Sequence, residues 1–185
     1  MPEVLTQTPP ARVESTGKAM ITSAQIARRV HAMGREISKV YADIETPLVL
    51  VVILKGATVF AADLLRSLSI PAELEFVRAA SYGSGTTRGE LRLAHMIDGP
   101  MLDRHVLLVE DIVDSGHTVD AITRRMRRMK PASLRLVALL DRPARRAVKV
   151  KIDFKGFVIP DRFVIGYGLD YAGLYRELPG IYSLG

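Results

Sequence analysis

Residues 106–118 read VLLVEDIVDSGHT, and their pattern is the clearest indication of the fold. Four apolar residues are typical of a strand that is buried on both faces, and two acids, Glu110 and Asp111, follow them directly. A small polar turn, residues 114–118, then leads into an amphipathic helix. The turn offers backbone amides and two hydroxyls, and the helix offers the positive end of its dipole. These are the parts of a phosphate-binding cradle, and Gly116 permits close approach.

This turn does not match the common loops that bind nucleoside triphosphates or dinucleotides. A Walker loop ends in Gly-Lys-Ser/Thr and a dinucleotide fingerprint reads G-x-G-x-x-G, and neither occurs at this turn. Glu110 and Asp111 would repel a phosphate, but they suit a sugar diol or a hydrated magnesium ion. Together, cradle and acids indicate a ribose 5-phosphate site. A plainer alternative for Asp114 is that it only caps the following helix.

Strands and helices alternate along most of the chain. Strands are predicted at 48–54, 74–77, 106–109 and 134–140, with helices after the first and third of these. This order predicts an α/β fold, a mostly parallel twisted sheet flanked by helices. A further helix should begin at Thr22, which forms a capping-box pattern with Gln25. Inward-facing positions of the first two helices should include Val40 and Val59.

The remaining segments carry turn and loop signals. We expect residues 1–18 to form a flexible tail and residues 19–185 a single domain, with a small irregular hood built mainly from residues 149–185. Residues 81–89, SYGSGTTRG, form a long glycine-rich tip between two strands, which is typical of a mobile lid. A merely tolerated insertion is the alternative, because long loops cost little free energy.

Composition limits the class of protein. The 185 residues are 48% hydrophobic and 25% charged, as in a water-soluble globular domain. No apolar run approaches the roughly 20 residues of a membrane helix, and the polar N-terminus is no secretory signal. We therefore expect a cytoplasmic protein with no membrane partner. The chain lacks cysteine, which excludes disulfides and thiolate chemistry.

A net charge of +6 raises the question of a nucleic-acid partner. Basic residues cluster at 124–130 and 142–151, but a solvated helix face and a loop explain both clusters. A site for a polyphosphate substrate would also favour positive potential. We do not expect nucleic acid to be the main partner.

Residues 106–118 resemble the phosphoribosyl-pyrophosphate signature of the type I phosphoribosyltransferases. Three further stretches resemble the hypoxanthine-guanine branch of that family: its pyrophosphate loop at 48–65, its catalytic lid at 81–91 and its base-binding hood at 159–184. The resemblance covers about residues 21–184. It implies transfer of the 5-phosphoribosyl group from phosphoribosyl pyrophosphate to hypoxanthine or guanine, giving IMP or GMP. Magnesium as cofactor and a homodimer or homotetramer are also implied.

The resemblance further implies a role for each matching residue. Asp114 would accept the proton of the purine as its N7 or N9 becomes nucleophilic. The residues implied to bind ribose and its phosphate are Glu110, Asp111, Ser115, Gly116, His117 and Thr118. Those implied at pyrophosphate are Lys55, Gly56 and Arg176, with a cis peptide at this loop. Those implied at the purine are Arg142, Phe163 and Val164. Ser81 and Tyr82 would belong to the lid, and the implied magnesium ligands are Glu110, Asp111 and Asp170.

One position departs from the family pattern. The family places a lysine after the third strand to donate to the purine 6-oxo group, and here Arg142 stands there. Arginine can donate to both O6 and N7, but it is bulkier than lysine. We therefore expect a retained preference for 6-oxopurines, with a changed ranking among hypoxanthine, guanine and xanthine.

Two other functions fit parts of the sequence. A nucleotide-sensing regulator on the same fold could bind RNA through the arginine-rich helix, although it could dispense with the lid, Asp114 and Asp170. An adenine or pyrimidine phosphoribosyltransferase fits residues 110–118, but it does not fit the hood from Phe163 to Arg176.

Overall fold

The computed structural model describes residues 18–81, 91–95 and 101–184. Within these ranges the elements follow the alternation predicted from the sequence. In chain order they are α1 (Ser23–Val40), β1 (Leu48–Leu54), α2 (Thr58–Ser67), β2 (Ala72–Ser81), β3 (Leu91–His95), β4 (His105–Val113), α3 (His117–Arg127), β5 (Ser133–Asp141), a short 3-10 helix (Pro143–Arg145), β6 (Phe154–Val158), β7 (Phe163–Ile165) and β8 (Tyr182–Leu184). No helix among the described residues is long and apolar enough to cross a membrane.

The main sheet has six strands in the order β3-β2-β1-β4-β5-β6. Strands β2, β1, β4, β5 and β6 run parallel, and β3 pairs antiparallel with β2 at one edge. This confirms the prediction of an α/β fold with a mostly parallel sheet. Since parallel strands end at the same edge, the segments that follow β1, β4 and β5 lie together.

Side chains on both faces of the sheet are buried. Leu50 and Val52 of β1 pack in one apolar cluster with α1 and α2. Val49 and Val51 pack in a second cluster with α3 on the other face. Burial on both faces explains why β1 is an uninterrupted apolar run rather than an alternating one.

Helix α1 begins as its sequence predicts, but two expected core positions are exposed. Thr22 and Gln25 form the capping box. Val40 is exposed because Tyr41, four residues after the buried Ile37, takes the inward position instead. In α2, Val59 is exposed as well, and it lies beside the C-terminal segment at Gly168 rather than in the core.

The expectation of an irregular chain from residue 149 onward is wrong for residues 154–158. They form β6, which pairs parallel with β5 in the main sheet. At Gly156 a Cβ atom would lie 2.2 Å from the carbonyl oxygen of Leu139, so a side chain there would prevent the strands from pairing this closely. A strand of five residues that includes a lysine and a glycine lacks the apolar pattern that would identify it. We therefore define the hood as residues 159–184, which contain the β7–β8 pair.

Candidate active site

Three strand ends bring the predicted site residues together at one edge of the sheet. Lys55 follows β1, Asp114 follows β4, and Arg142 follows β5. They are far apart in sequence, and the parallel arrangement alone makes them neighbours. The hood also reaches this edge, where Gly168 lies against the backbone of Gly56.

The phosphate turn, residues 113–118, is open at its backbone amides. Gly116 is left-handed, with φ of 88°, and it precedes α3 without any side-chain cap on the helix. A Cβ at this position would lie 2.8 Å from the carbonyl oxygen of Val148, so glycine is required for space as well as conformation. The uncapped amides of the first helical turn are those that a phosphate group accepts from. The side chain of His117 is exposed, whereas Ser115 and Thr118 are half-buried.

The acid pair lies deeper, at the end of β4. Glu110 and Asp111 are 8% and 9% exposed. Oδ1 of Asp111 accepts a hydrogen bond of 2.8 Å from the backbone N–H of Ile112. Oε2 of Glu110 is buried without a hydrogen-bond partner among the described residues. Such an oxygen is costly to bury unless a ligand group completes its coordination.

Burial governs the protonation of both acids. It raises the pKa of Glu110 well above its ordinary value, and the neighbouring carboxyl of Asp111 raises it further. Burial also raises the pKa of Asp111, although the N–H of Ile112 and the charge of Arg176 act in the opposite direction. The charged form of Glu110 is therefore the less well stabilised of the two.

The loop after β1 is wedged between the acid pair and the hood. A Cβ on Gly56 would lie 1.7 Å from Oδ2 of Asp111, and a Cβ on Gly168 would lie 2.2 Å from the carbonyl oxygen of Gly56. Two glycines thus permit three segments to meet. The cis peptide that the resemblance implies at this loop joins Leu54 to Lys55.

Asp114 and Arg142 form a two-point ion pair. Nη2 of Arg142 lies 2.6 Å from Oδ2 of Asp114, and Nε lies 3.1 Å from Oδ1. Nη1 donates to the carbonyl oxygen of Arg162, at 2.5 Å. The Arg142 side chain is only 7% exposed, while that of Asp114 is 35% exposed. Arg142 therefore connects the carboxylate at the end of β4 with the beginning of the hood.

The hood presents aromatic side chains toward open space. Phe163 is 44% exposed and meets the ring of Tyr171 edge-on, with centroids 5.7 Å apart and planes at 88°. Val164 next to it is buried. The resemblance implied Phe163 and Val164 at this site but not Tyr171, which only the return of the chain through a turn brings to Phe163.

Arg176 and Asp170 face each other across the hood turn. Nη2 of Arg176 lies 2.6 Å from Oδ1 of Asp170, and Nη1 donates to the carbonyl oxygen of Gly168. Oδ2 of Asp170 accepts from the N–H of Gly173 at 2.8 Å. The structure thus places Arg176 and Asp170 together, and the charge of Arg176 opposes the rise in the pKa of Asp111.

A second contact anchors the hood on α2. The hydroxyl of Tyr167 donates to Oδ2 of Asp63, at 2.5 Å. Burial and the negative charge of Asp63 raise the pKa of Tyr167, so the hydroxyl remains a donor at neutral pH. This pair is separated by 104 residues, and neither residue belongs to a motif that could have indicated it.

The lid lies mostly outside the described residues. Strands β2 and β3 pair antiparallel, as expected for the two sides of a long tip. Ser81 ends β2, and Tyr82 falls in the range 82–90, which the structure does not describe. The role of both residues stays a prediction.

Comparison with known proteins identifies the family. The phosphoribosyl transferase domain matches residues 22–172, and the chain belongs to this family. Its relatives are hypoxanthine phosphoribosyltransferases: that of Salmonella typhimurium is 42% identical over 168 residues, covering 90% of this chain and 94% of the relative. A hypoxanthine-guanine phosphoribosyltransferase of Bacillus anthracis has a similar structure, with a TM-score of 0.84, 37% identity and coverage of 91% and 99%. The hypoxanthine phosphoribosyltransferase of Trypanosoma cruzi gives a TM-score of 0.86 at 37% identity, with coverage of 91% and 95%.

Proposed function

We propose that this protein is a purine-salvage transferase, which moves the 5-phosphoribosyl group from phosphoribosyl pyrophosphate to hypoxanthine or guanine. The products are IMP or GMP and pyrophosphate. The observation that carries the proposal is the junction of β4 and α3, where a buried acid pair, a carboxylate and an open amide cradle follow one another within nine residues. These groups match the diol, the reacting centre and the phosphate of a ribose 5-phosphate.

The phosphate turn holds the 5-phosphate. Backbone N–H groups of Ser115, Gly116, His117 and Thr118 donate to it, with help from the hydroxyls of Ser115 and Thr118. The exposed ring of His117 contributes less than its backbone does. Glu110 and Asp111, which precede the turn along the chain, receive the ribose hydroxyls.

Asp114 is the proton acceptor of the reaction. Departure of pyrophosphate from C1 of the ribose leaves oxocarbenium-like positive charge, and a purine nitrogen attacks as it loses its proton. The purine N–H is weakly acidic, so an ordinary carboxylate is a sufficient base. Arg142 fixes both oxygens of Asp114, which restricts the carboxylate to one orientation.

The hood binds the base. Phe163 stacks on the purine, Tyr171 supports the ring of Phe163 from its edge, and backbone groups of Val164 read the purine edge. The guanidinium of Arg142 has five N–H groups. Three of its N–H groups contact Asp114 and Arg162, and the others are available to the 6-oxo group.

Pyrophosphate is held by Lys55, Gly56 and Arg176. Arg176 exchanges part of its contact with Asp170 for the ligand, because a diphosphate offers more negative charge than one carboxylate. Ser81 and Tyr82 close over the reacting centre and keep water from C1.

Magnesium fits the acid pair and Asp170. The unpartnered oxygen of Glu110 is a hard donor that accepts no hydrogen bond from the described residues. No three acidic or histidine side chains of the described ranges converge as a metal cage. Mg²⁺ ordinarily keeps several waters and binds one or two carboxylates together with substrate oxygens, so no such cage is needed. When bound, it neutralises negative charge on the departing pyrophosphate.

We also propose the domain organisation, the cellular location and the oligomeric state of the chain. Residues 19–185 form one domain preceded by a tail of 18 residues, and the protein is cytoplasmic. It assembles as a homodimer or homotetramer; Leu74 and Phe76, which are exposed on β2, are apolar surface of the kind that a second copy covers. Light scattering of the full chain tests the assembly, and a purely monomeric particle would contradict it.

The reaction is tested directly with hypoxanthine and phosphoribosyl pyrophosphate. The formation of IMP is measured by chromatography. It should require magnesium and stop when a chelator is added. A chain that releases pyrophosphate without forming IMP, or that forms IMP equally well with chelator present, would contradict the proposal.

A further inference from the structure

Arg146 lies just after the short 3-10 helix and makes contacts that its sequence context does not suggest. Nε donates to the carbonyl oxygen of Asp114 at 2.8 Å, and Nη2 donates to that of Val113 at 3.0 Å. Nη2 also lies 2.5 Å from Oδ1 of Asp141. The side chain is only 18% exposed. One guanidinium thus binds two consecutive carbonyls at the start of the phosphate turn.

The chain around Arg146 binds the other carbonyls of the turn. The N–H of Arg142 donates to the carbonyl oxygen of Val113, at 3.0 Å. The N–H groups of Ala147 and Val148 both donate to that of Ser115, at 3.0 Å each. Three successive carbonyls, those of residues 113, 114 and 115, are therefore bound by one segment, residues 142–148.

This arrangement fixes the direction of the amides. In a trans peptide the C=O of one residue and the N–H of the next point to opposite sides. With their carbonyls tied to residues 142–148, the peptides of the turn direct the N–H groups of Asp114, Ser115 and Gly116 away from that segment. The carbonyl of Asp114 is the middle one of the three, and it accepts from the side chain of Arg146.

Charged residues of β5 and β6 hold the side chain of Arg146 in place. Asp141, at the end of β5, is 6% exposed, and its second oxygen lies 2.5 Å from Nζ of Lys155 in β6. A carboxylate buried to this degree requires charge partners, and the two cations supply them. Asp141 and Lys155 thus restrict Arg146 to the rotamer that reaches the turn.

We infer that Arg146 is a positioning residue for phosphoribosyl binding, an inference that rests on the function proposed above. It orients the N–H of Ser115 toward the 5-phosphate by binding the carbonyl of Asp114, and it sets the backbone of Asp114, whose carboxylate Arg142 holds. Two arginines of one loop thus have separate roles, since Arg142 binds the side chain of Asp114 and Arg146 binds its carbonyl.

The decisive experiment compares ligands that differ only in the 5-phosphate. Affinities for IMP and inosine are measured by calorimetry on the full chain, and their ratio reports what the phosphate contributes. In Arg146→Ala the ratio should fall about tenfold, the size expected when a charge-assisted hydrogen bond is lost, with inosine affinity unchanged. The KM for phosphoribosyl pyrophosphate should rise correspondingly, and the KM for hypoxanthine should not.

Two further variants keep the result interpretable. Arg146→Lys retains a cation for Asp141 but cannot span two carbonyls, so its ratio should lie between those of Arg146→Ala and the unaltered protein. It carries the test if Arg146→Ala does not fold. Arg125→Ala, which removes an exposed arginine of α3, should leave the ratio unchanged.

The outcomes separate this inference from the function beneath it. A folded Arg146→Ala or Arg146→Lys variant with the IMP-to-inosine ratio of the unaltered protein would overturn the inference alone. Equal loss of IMP and inosine affinity would also overturn it, because a general disturbance of the fold would explain that result. Failure of the unaltered protein to bind IMP would overturn the proposed function.

Discussion

The phosphoribosyl side of the site and the base side are built in opposite ways. Asp114 is clamped at two points by a buried arginine, and the turn around it is bound at three carbonyls. The hood instead leaves Phe163 and Tyr171 nearly half exposed. In the proposed reaction, the site is therefore preorganised where charge develops, and its apolar surface is completed by the flat base.

Asp114→Asn should have the largest effect, because it removes the base and one charge of the clamp. We expect kcat to fall by about 100-fold or more, with a smaller rise in the KM for phosphoribosyl pyrophosphate. In this variant Arg142 is buried without a countercharge, which should also lower the unfolding temperature. Asp120→Asn, which alters an ion-paired aspartate of α3, is the matched control.

Steady-state kinetics with hypoxanthine measure this effect. A kcat within about threefold of the unaltered enzyme would mean that Asp114 is not the proton acceptor, because asparagine cannot take up the proton.

Phe163→Ala tests the open side of the comparison. Loss of stacking should raise the KM for hypoxanthine by about tenfold, while the unfolding temperature changes little because the ring is 44% exposed. Leu102→Ala, at an exposed leucine before β4, should change neither quantity. A large loss of stability with an unchanged KM would show that Phe163 belongs to the core of the hood.

Arg142→Lys changes a residue that contacts both Asp114 and the hood, and its effect should be smaller than those of the two variants above. An ammonium group cannot bind both oxygens of Asp114 and the carbonyl of Arg162 at once. We expect kcat to fall by about threefold to tenfold and the ranking of hypoxanthine, guanine and xanthine to change. Arg145→Lys, at an exposed ion pair with Asp161, is the control. Kinetics with all three bases identical to the parent would refute a role of Arg142 in base choice.

Glu110→Gln should have the smallest of these effects on the ligand-free protein, and that effect is on its stability. Because the pKa of Glu110 is raised in the folded chain, its ionisation opposes folding: the favourable contribution is complete below the ordinary value of 4.5 and is lost as pH rises through the raised pKa. The ligand-free variant should therefore unfold a few degrees higher than the parent at pH 8, about 2–4 °C per kcal/mol.

Thermal unfolding from pH 4 to 8 measures the difference, which should close on acidification. Glu45→Gln, at an exposed glutamate, should show no such trend. A variant that is less stable than the parent at pH 8 would contradict the burial argument.

The sequence was sufficient for the central strands of the sheet and for the β4–α3 junction because both rest on local patterns. The apolar runs at 48–54 and 106–109 became central strands, and the small polar turn at 114–118 leads into α3. The capping box at Thr22 formed as well.

The features that could not be predicted from the sequence depend on contacts between distant segments. The pairing of Arg142 with Asp114 spans 28 residues, and that of Arg146 with the same residue spans 32. A basic loop at 142–151 gave no sign of which arginines would be buried. Strand β6 was missed because Gly156 and Lys155 interrupt its apolar pattern, and the close approach that requires this glycine is visible only once β5 lies beside it.

Turnover with a panel of bases is the first test of the proposed function. Purified protein is mixed with phosphoribosyl pyrophosphate, magnesium and, separately, hypoxanthine, guanine, xanthine or adenine, and nucleotide formation is followed. The proposed function predicts nucleotide from hypoxanthine or guanine and none from adenine. No turnover with any base, despite measurable binding of IMP, would contradict it and favour a nucleotide-sensing protein on the same fold.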